Sequence, residues 1–136
     1  MQSQIFINLP VTDLQKSVAL YTNMGFSNNP QFSDDTAKCM AWGDNIFVML
    51  MTHEKFKNFT QKPIANMHDS IAALYSLSVA GINKVHEIVT SALAAGATEV
   101  GELRDYGFMQ QRSIADYDGY TWEIFCMDMS KFPPVV

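Results

Sequence analysis

The alternation of apolar and polar residues divides the chain into strands and two amphipathic helices. Ile5-Phe6-Ile7-Asn8-Leu9 alternates and is rich in strand formers, which predicts a strand. Thr12-Asp13-Leu14-Gln15 has the form of a capping box, with Thr12 capping the first turn and Gln15 reaching back. Leu14, Val18, Tyr21 and Met24 then recur at helical spacing until Gly25 supplies a stop. Phe26–Phe32, Thr36–Trp42 and Asn45–Met51 read as three more strands, the last two joined by a tight Gly43-Asp44 turn. The order is β-α-β-β-β.

The second half repeats that order. Ala73–Val79 is strand-like. Asn83–Ala95 is helical, with Val85, Ile88, Val89 and Leu93 on one side and Gly96 closing it. Thr98–Leu103, Gly107–Asp116 and Tyr120–Met127 follow as strands, with a turn at Asp118-Gly119. The two helix-ending glycines lie about 70 residues apart, the mark of an internal duplication. The prediction is one domain over residues 1–136: module one at 4–52, a polar connection at 53–70 and module two at 71–128. Phe132–Val136 is a tail whose Pro133-Pro134 cannot extend a sheet interior. The fold class is α+β. Each module lays one sheet face under its helix and leaves the other free, and two free faces can form a curved mixed sheet around a cavity.

Composition narrows the functions. A chain of 136 residues can bury a core without a disulfide or metal staple. The net charge is −5 and no basic stripe occurs, so binding to a nucleic-acid backbone lacks its driving force. The longest apolar run, Ile46–Met51, falls far short of the ~20 residues that span a bilayer. No signal-peptide pattern precedes Ile5, and the expected location is cytoplasmic. Cys39 and Cys126 sit in apolar strands and read as buried thiols. His53, His68 and His86 match no metal-ligand spacing.

Four landmarks stand in order over the duplicated frame: Val11-Thr12-Asp13-Leu14, Tyr21 with Met24-Gly25-Phe26, Leu77-Ser78-Val79, and Asp116-Tyr117-Asp118-Gly119-Tyr120-Thr121-Trp122-Glu123. Together they resemble the vicinal oxygen chelate superfamily, which includes glyoxalase I, bleomycin- and fosfomycin-resistance proteins and extradiol dioxygenases. The resemblance covers Ile5 to Met127. It implies paired β-α-β-β-β modules, one cavity and commonly a homodimer. In metal-dependent members of the superfamily, His, Gln or Glu side chains hold a divalent ion that polarises substrate oxygens. Carried over residue by residue, those ligand positions fall on Phe6, Leu74 and Glu123, with a possible fourth at Leu50. Only Glu123 can bind a metal, and a divalent site wants at least three protein ligands.

Alternation assigns the cavity face to Phe6, Asn8, Leu74, Ser76, Ser78, Thr121, Glu123 and Phe125. The family register adds Gln111 and Ser113, and the fourth wall adds Val48 and Leu50. This lining suits a small organic ligand that is aromatic or amphipathic. Glu123 is the candidate anchor or general base, because a carboxylate on an apolar wall is costly unless paired or protonated. Arg112 reaches it only if the strand slips by one residue. The expectation is a homodimeric small-molecule-binding protein with no metal and no cofactor. The alternative is a metal-dependent lyase, isomerase or dioxygenase with an atypical site around Glu123.

Overall fold

Strand β1 (Ile5–Val11) alternates from exposed to fully buried as it runs inward, and α1 (Leu14–Met24) returns across it. The first module continues with β2 (Ser27–Asn29), β3 (Ala37–Trp42), β4 (Ile46–Thr52) and a single helical turn, α2 (His53–Phe56). The second module has β5 (Leu74–Ser78), α3 (Ile82–Ala94), the short β6 (Thr98–Glu99) and β7 (Arg104–Asp105), and the long β8 (Met109–Ala115) and β9 (Thr121–Met127). A computed structural model describes residues 2–133. The last residues of the predicted tail, 134–136, lie outside the described part.

Each module builds its own mixed sheet. The first has four strands in the order β1-β4-β3-β2, and the second has five, β5-β9-β8-β6 with β7 also on β8. β1 runs parallel to β4 and β5 parallel to β9, so the duplication read from the glycines is real in topology. Helices α1 and α3 pack on each other and on the covered face of both sheets. Leu9, Leu20, Met24, Met40 and Val48 from one half therefore share a core with Leu77, Val85, Ile88, Ile114 and Ile124 from the other.

Local chemistry moved several boundaries. β1 extends to Val11, and the helix is capped by Asp13, whose carboxylate accepts the Lys16 N–H at 3.1 Å. Thr12 does not cap; its own N–H donates to Asp118 of the other module at 3.0 Å. The predicted strand Phe26–Phe32 stops at Asn29, because Pro30 lacks an N–H and opens a 3-10 turn. The predicted strand Thr98–Leu103 breaks after Glu99, and the chain turns through Gly101 at φ 70° before β7. At the end of α1, Gly25 adopts φ 117°, and a Cβ there would stand 2.9 Å from the Trp42 ring.

A buried polar chain ties the halves together. Asp116, at the end of β8, is 6% exposed. Its carboxylate accepts the Tyr21 hydroxyl at 2.6 Å and the N–H groups of Asp118 and Tyr120 at 3.0 and 2.9 Å. The Tyr21 oxygen in turn accepts the Trp122 indole N–H at 3.0 Å. Around this chain the rings of Tyr21, Phe26 and Trp122 meet edge to face or tilted at 5.5–5.9 Å. Burial pushes the Asp116 carboxyl up to about 6, against the opposing pull of its three donors.

Two outcomes follow for stability. Tyr21→Phe strands the indole N–H and one carboxylate oxygen, and equilibrium urea unfolding is expected to read a loss of about 2–4 kcal/mol. The Asp116 carboxyl is raised in the folded chain, so its contribution is complete below its unfolded value near 4 and lost as pH rises through about 6. Asp116→Asn removes that dependence. The stability of the unmutated chain relative to the variant should fall by roughly 2 kcal/mol between pH 4.5 and 7.5; a flat difference would refute the assignment.

Candidate functional site

The strands that cover the core on one side carry the candidate site on the other. In β9, Trp122, Ile124 and Cys126 are buried against the helices, while Thr121, Glu123 and Phe125 alternate onto the open face. In β5, Tyr75 and Leu77 turn inward, leaving Leu74, Ser76 and Ser78 open. Register on β8 brings Gln111 opposite Phe125 and Ser113 opposite Glu123, both on that same face. In β1, Ile7, Leu9 and Val11 go to the core, and Phe6 and Asn8 stay outside. The expected positions of Phe6, Asn8, Leu74, Ser76, Gln111, Ser113, Glu123 and Phe125 are those the strands adopt.

Leu50 is the exception. It is fully buried in the shared core, and so is Val48; neither lines the open face. β4 pairs with β1 so that Phe47 lies opposite Phe6 and Met49 opposite Asn8, and these two take the positions expected of Val48 and Leu50. Phe6 and Phe47 stack nearly parallel, with centroids 4.5 Å apart and planes at 10°. β4 is a continuous apolar run, so alternation gave it no phase; only pairing with β1, whose Asn8 marks the outer face, could have set it.

Glu123 sits in a neutral hydrogen-bonded cradle. The Ser76 hydroxyl donates to its Oε1 at 2.6 Å and the Gln111 amide to its Oε2 at 3.0 Å. Both oxygens act as acceptors, the pattern of a carboxylate. Among the described residues, no lysine or arginine makes an ion pair with it. Arg112 is on the opposite face, where it forks onto Glu99 at 2.8 and 2.9 Å and contacts His86 Nδ1 at 2.9 Å. This pair holds the Glu99 carboxyl below its ordinary range and the guanidinium above its own.

The donor set does not fit a divalent ion. Of the four positions where the superfamily resemblance places ligands, Phe6, Leu74 and Leu50 are hydrocarbon, and the groups nearest Glu123 are a hydroxyl and an amide. The open face of β1 and β4 adds Asn8, Phe47 and Met49, with no imidazole or carboxylate. Among the described residues, no three His, Cys, Asp or Glu side chains gather at one point. Cys39 shares the face of Met49 by register but is completely covered, and burial raises its thiol.

Within one chain the two open faces carry exposed apolar groups. Phe6 is 46% exposed and Leu74 53%. Two adjoining clefts, of about 370 and 280 Å³, run along β1 beneath the connection and share Asn8, Phe56 and Thr60. Phe56, Phe59 and Thr60 carry no signal in the sequence, because the connection has no periodicity to assign a face. A third cleft, of about 540 Å³, lies between the connection and the 116–120 turn, with His53, Lys57, His68 and Asp118 in its walls. His68 Nε2 lies 3.1 Å from the Tyr117 carbonyl oxygen and so donates to it.

Residues 4–124 match the family model described as the Glyoxalase/Bleomycin resistance protein/Dioxygenase superfamily. Among solved structures, similar folds include a hypothetical protein from S. aureus, at 24% identity and TM-score 0.78, covering 93% of this chain and 94% of that one. TioX from Micromonospora sp. ML1 is 23% identical with TM-score 0.63, covering 93% and 100%. The genomically encoded fosfomycin resistance protein FosX from Listeria monocytogenes is 14% identical with TM-score 0.65, covering 96% and 98%. At these identities the likeness is one of fold. No curated protein matches the sequence.

The face assignments are open to measurement. Leu50→Ala should cost about 2–5 kcal/mol in urea unfolding, as expected of a filled core position. Glu123→Gln, on the open face, should stay within about 1 kcal/mol of the unmutated chain. Equal costs for the two would place the faces wrongly.

Proposed function

The chain belongs to the glyoxalase/bleomycin resistance protein/dioxygenase superfamily, and on that premise we propose that it binds a small organic molecule without a metal centre, in a chamber completed by a second copy. The observation that carries this reading is the replacement of ligand positions by Phe6 and Leu74 around a single carboxylate held by Ser76 and Gln111. Burial, ring contacts and a few hydrogen bonds are sufficient for sequestration or sensing.

The homodimer follows from the same faces. Phe6, Leu74 and Phe125 form apolar surface, with Phe47 stacked behind Phe6, on sheets whose other side is already committed to the core. A second copy set against them would bury that surface and enclose Glu123 with Asn8, Ser76 and Gln111. No nucleic acid enters this reading, since the net charge is −5. Among the described residues, no helix is long and apolar enough to cross a membrane. We place the protein in the cytoplasm.

Light scattering is expected to give about twice the 15.3 kDa of the chain. Elemental analysis of protein purified without chelator should find no stoichiometric Zn, Ni, Mn or Fe, and chelator should leave the Tm unmoved. A metabolite present at about 100 times its Kd should raise the Tm on the order of 5–10 °C, and Phe6→Ala should lower its affinity. One equivalent of metal that disappears in Glu123→Gln would overturn the proposal.

A further inference from the structure

Among the described residues, Glu123 is a charge without a counter-charge. Its two hydrogen-bond donors, the Ser76 hydroxyl and the Gln111 amide, are neutral. The basic residues of the neighbouring strands are directed elsewhere. Lys38 lies opposite Leu50 on the covered side of the first sheet, and Arg112 is fixed to Glu99 on the covered side of the second. Arg104 shares the open face through its register with Gln111. It belongs to the outermost strand, two strands from β9, and forms no ion pair with Glu123. The first sheet's open face offers only neutral groups at β1 and β4: Phe6, Asn8, Phe47 and Met49. Covering Glu123 with these β1 and β4 side chains would remove water from a carboxylate, and none of them is a cation, which is costly; Lys62, in the connection, lines the cleft beside Asn8.

Building on the chamber reading, we propose that the missing counter-charge is the ligand's own. The ligand is an organic cation, a protonated amine or amidinium carried on a flat ring. Its N–H groups occupy the lone pairs that Ser76 and Gln111 leave free on Glu123. Its ring lies on the exposed Phe6 ring, which is backed by the buried Phe47 ring stacked against it, with Phe125 two residues from Glu123 on the same face of β9. A carboxylate or phosphonate of the same shape meets a like charge and is rejected.

Three probes matched in ring and linker separate the possibilities: 2-naphthylmethylamine, 2-naphthylmethanol and 2-naphthoate, titrated calorimetrically into the intact protein at pH 7. The amine should bind at least tenfold more tightly than the alcohol, and the naphthoate should bind most weakly. Glu123→Gln should erase the amine's advantage while leaving the alcohol within about threefold, and Arg104→Ala should leave the amine's advantage in place. Naphthoate binding as tightly as the amine would overturn the inference. So would an amine-to-alcohol ratio that Glu123→Gln does not change; in that case the chamber reading survives, because the ring still binds. If no probe binds to a protein shown to be dimeric, both readings fall.

Discussion

The buried carboxylate of Asp116 is the constraint on which the arrangement of the two modules depends. It stands at the end of β8, and it accepts the hydroxyl of Tyr21 from the opposite module's helix. Two local N–H groups turn the 116–120 segment around the same carboxylate, which sets the start of β9. The Tyr21 oxygen then accepts the Trp122 indole on β9 itself. One polar chain therefore fixes helix, turn and strand together. Tyr21, Asp116, Tyr120 and Trp122 are all buried, so none can be released to water without leaving another unsatisfied. Two further links, from Thr12 to Asp118 and from the Tyr120 hydroxyl to the Pro10 carbonyl, join the same turn to the end of β1.

This union has a consequence for the open faces. The helices and the inward side chains of all the long strands are used in a single core, so the outward side chains of β1, β5 and β9, with Phe6 and Leu74 about half exposed, are left to the open faces. β9 expresses both demands at once. Trp122 and Ile124 hold the modules together, while Glu123 between them faces away, held by Ser76 and Gln111. A residue's role here depends on its parity along a strand, and a shift of one residue would exchange a structural tryptophan for a site carboxylate.

The candidate site was legible in the sequence wherever a polar residue marked the phase of a strand. Asn8 marks β1, Ser76 marks β5 and Glu123 marks β9, and in these three strands the residues expected outward lie on the face away from the core. β4 contains no such marker, and there Leu50, expected on the cavity face, is buried in the core. The boundaries that moved did so through contacts distant in sequence or through one backbone group. Thr12 is drawn to Asp118, 106 residues away, and Asp13 caps the helix in its place. The strand after α1 ends where Pro30 withdraws an N–H.

Local chemistry alone determined the repeated element order, the two helices with their glycine stops, and the loss of metal-binding side chains at three of the positions where the superfamily resemblance places ligands. These are properties of spacing and side-chain type, and no fold can supply an imidazole where the chain has phenylalanine. Tertiary structure decided which face β4 shows, that Ser76 and Gln111 rather than Arg112 hold Glu123, and that the helix-covered sides of both sheets merge into one core. Each of those outcomes is set by pairing between strands or modules far apart in sequence, and the energy of such pairing belongs to the packed arrangement and to no segment by itself.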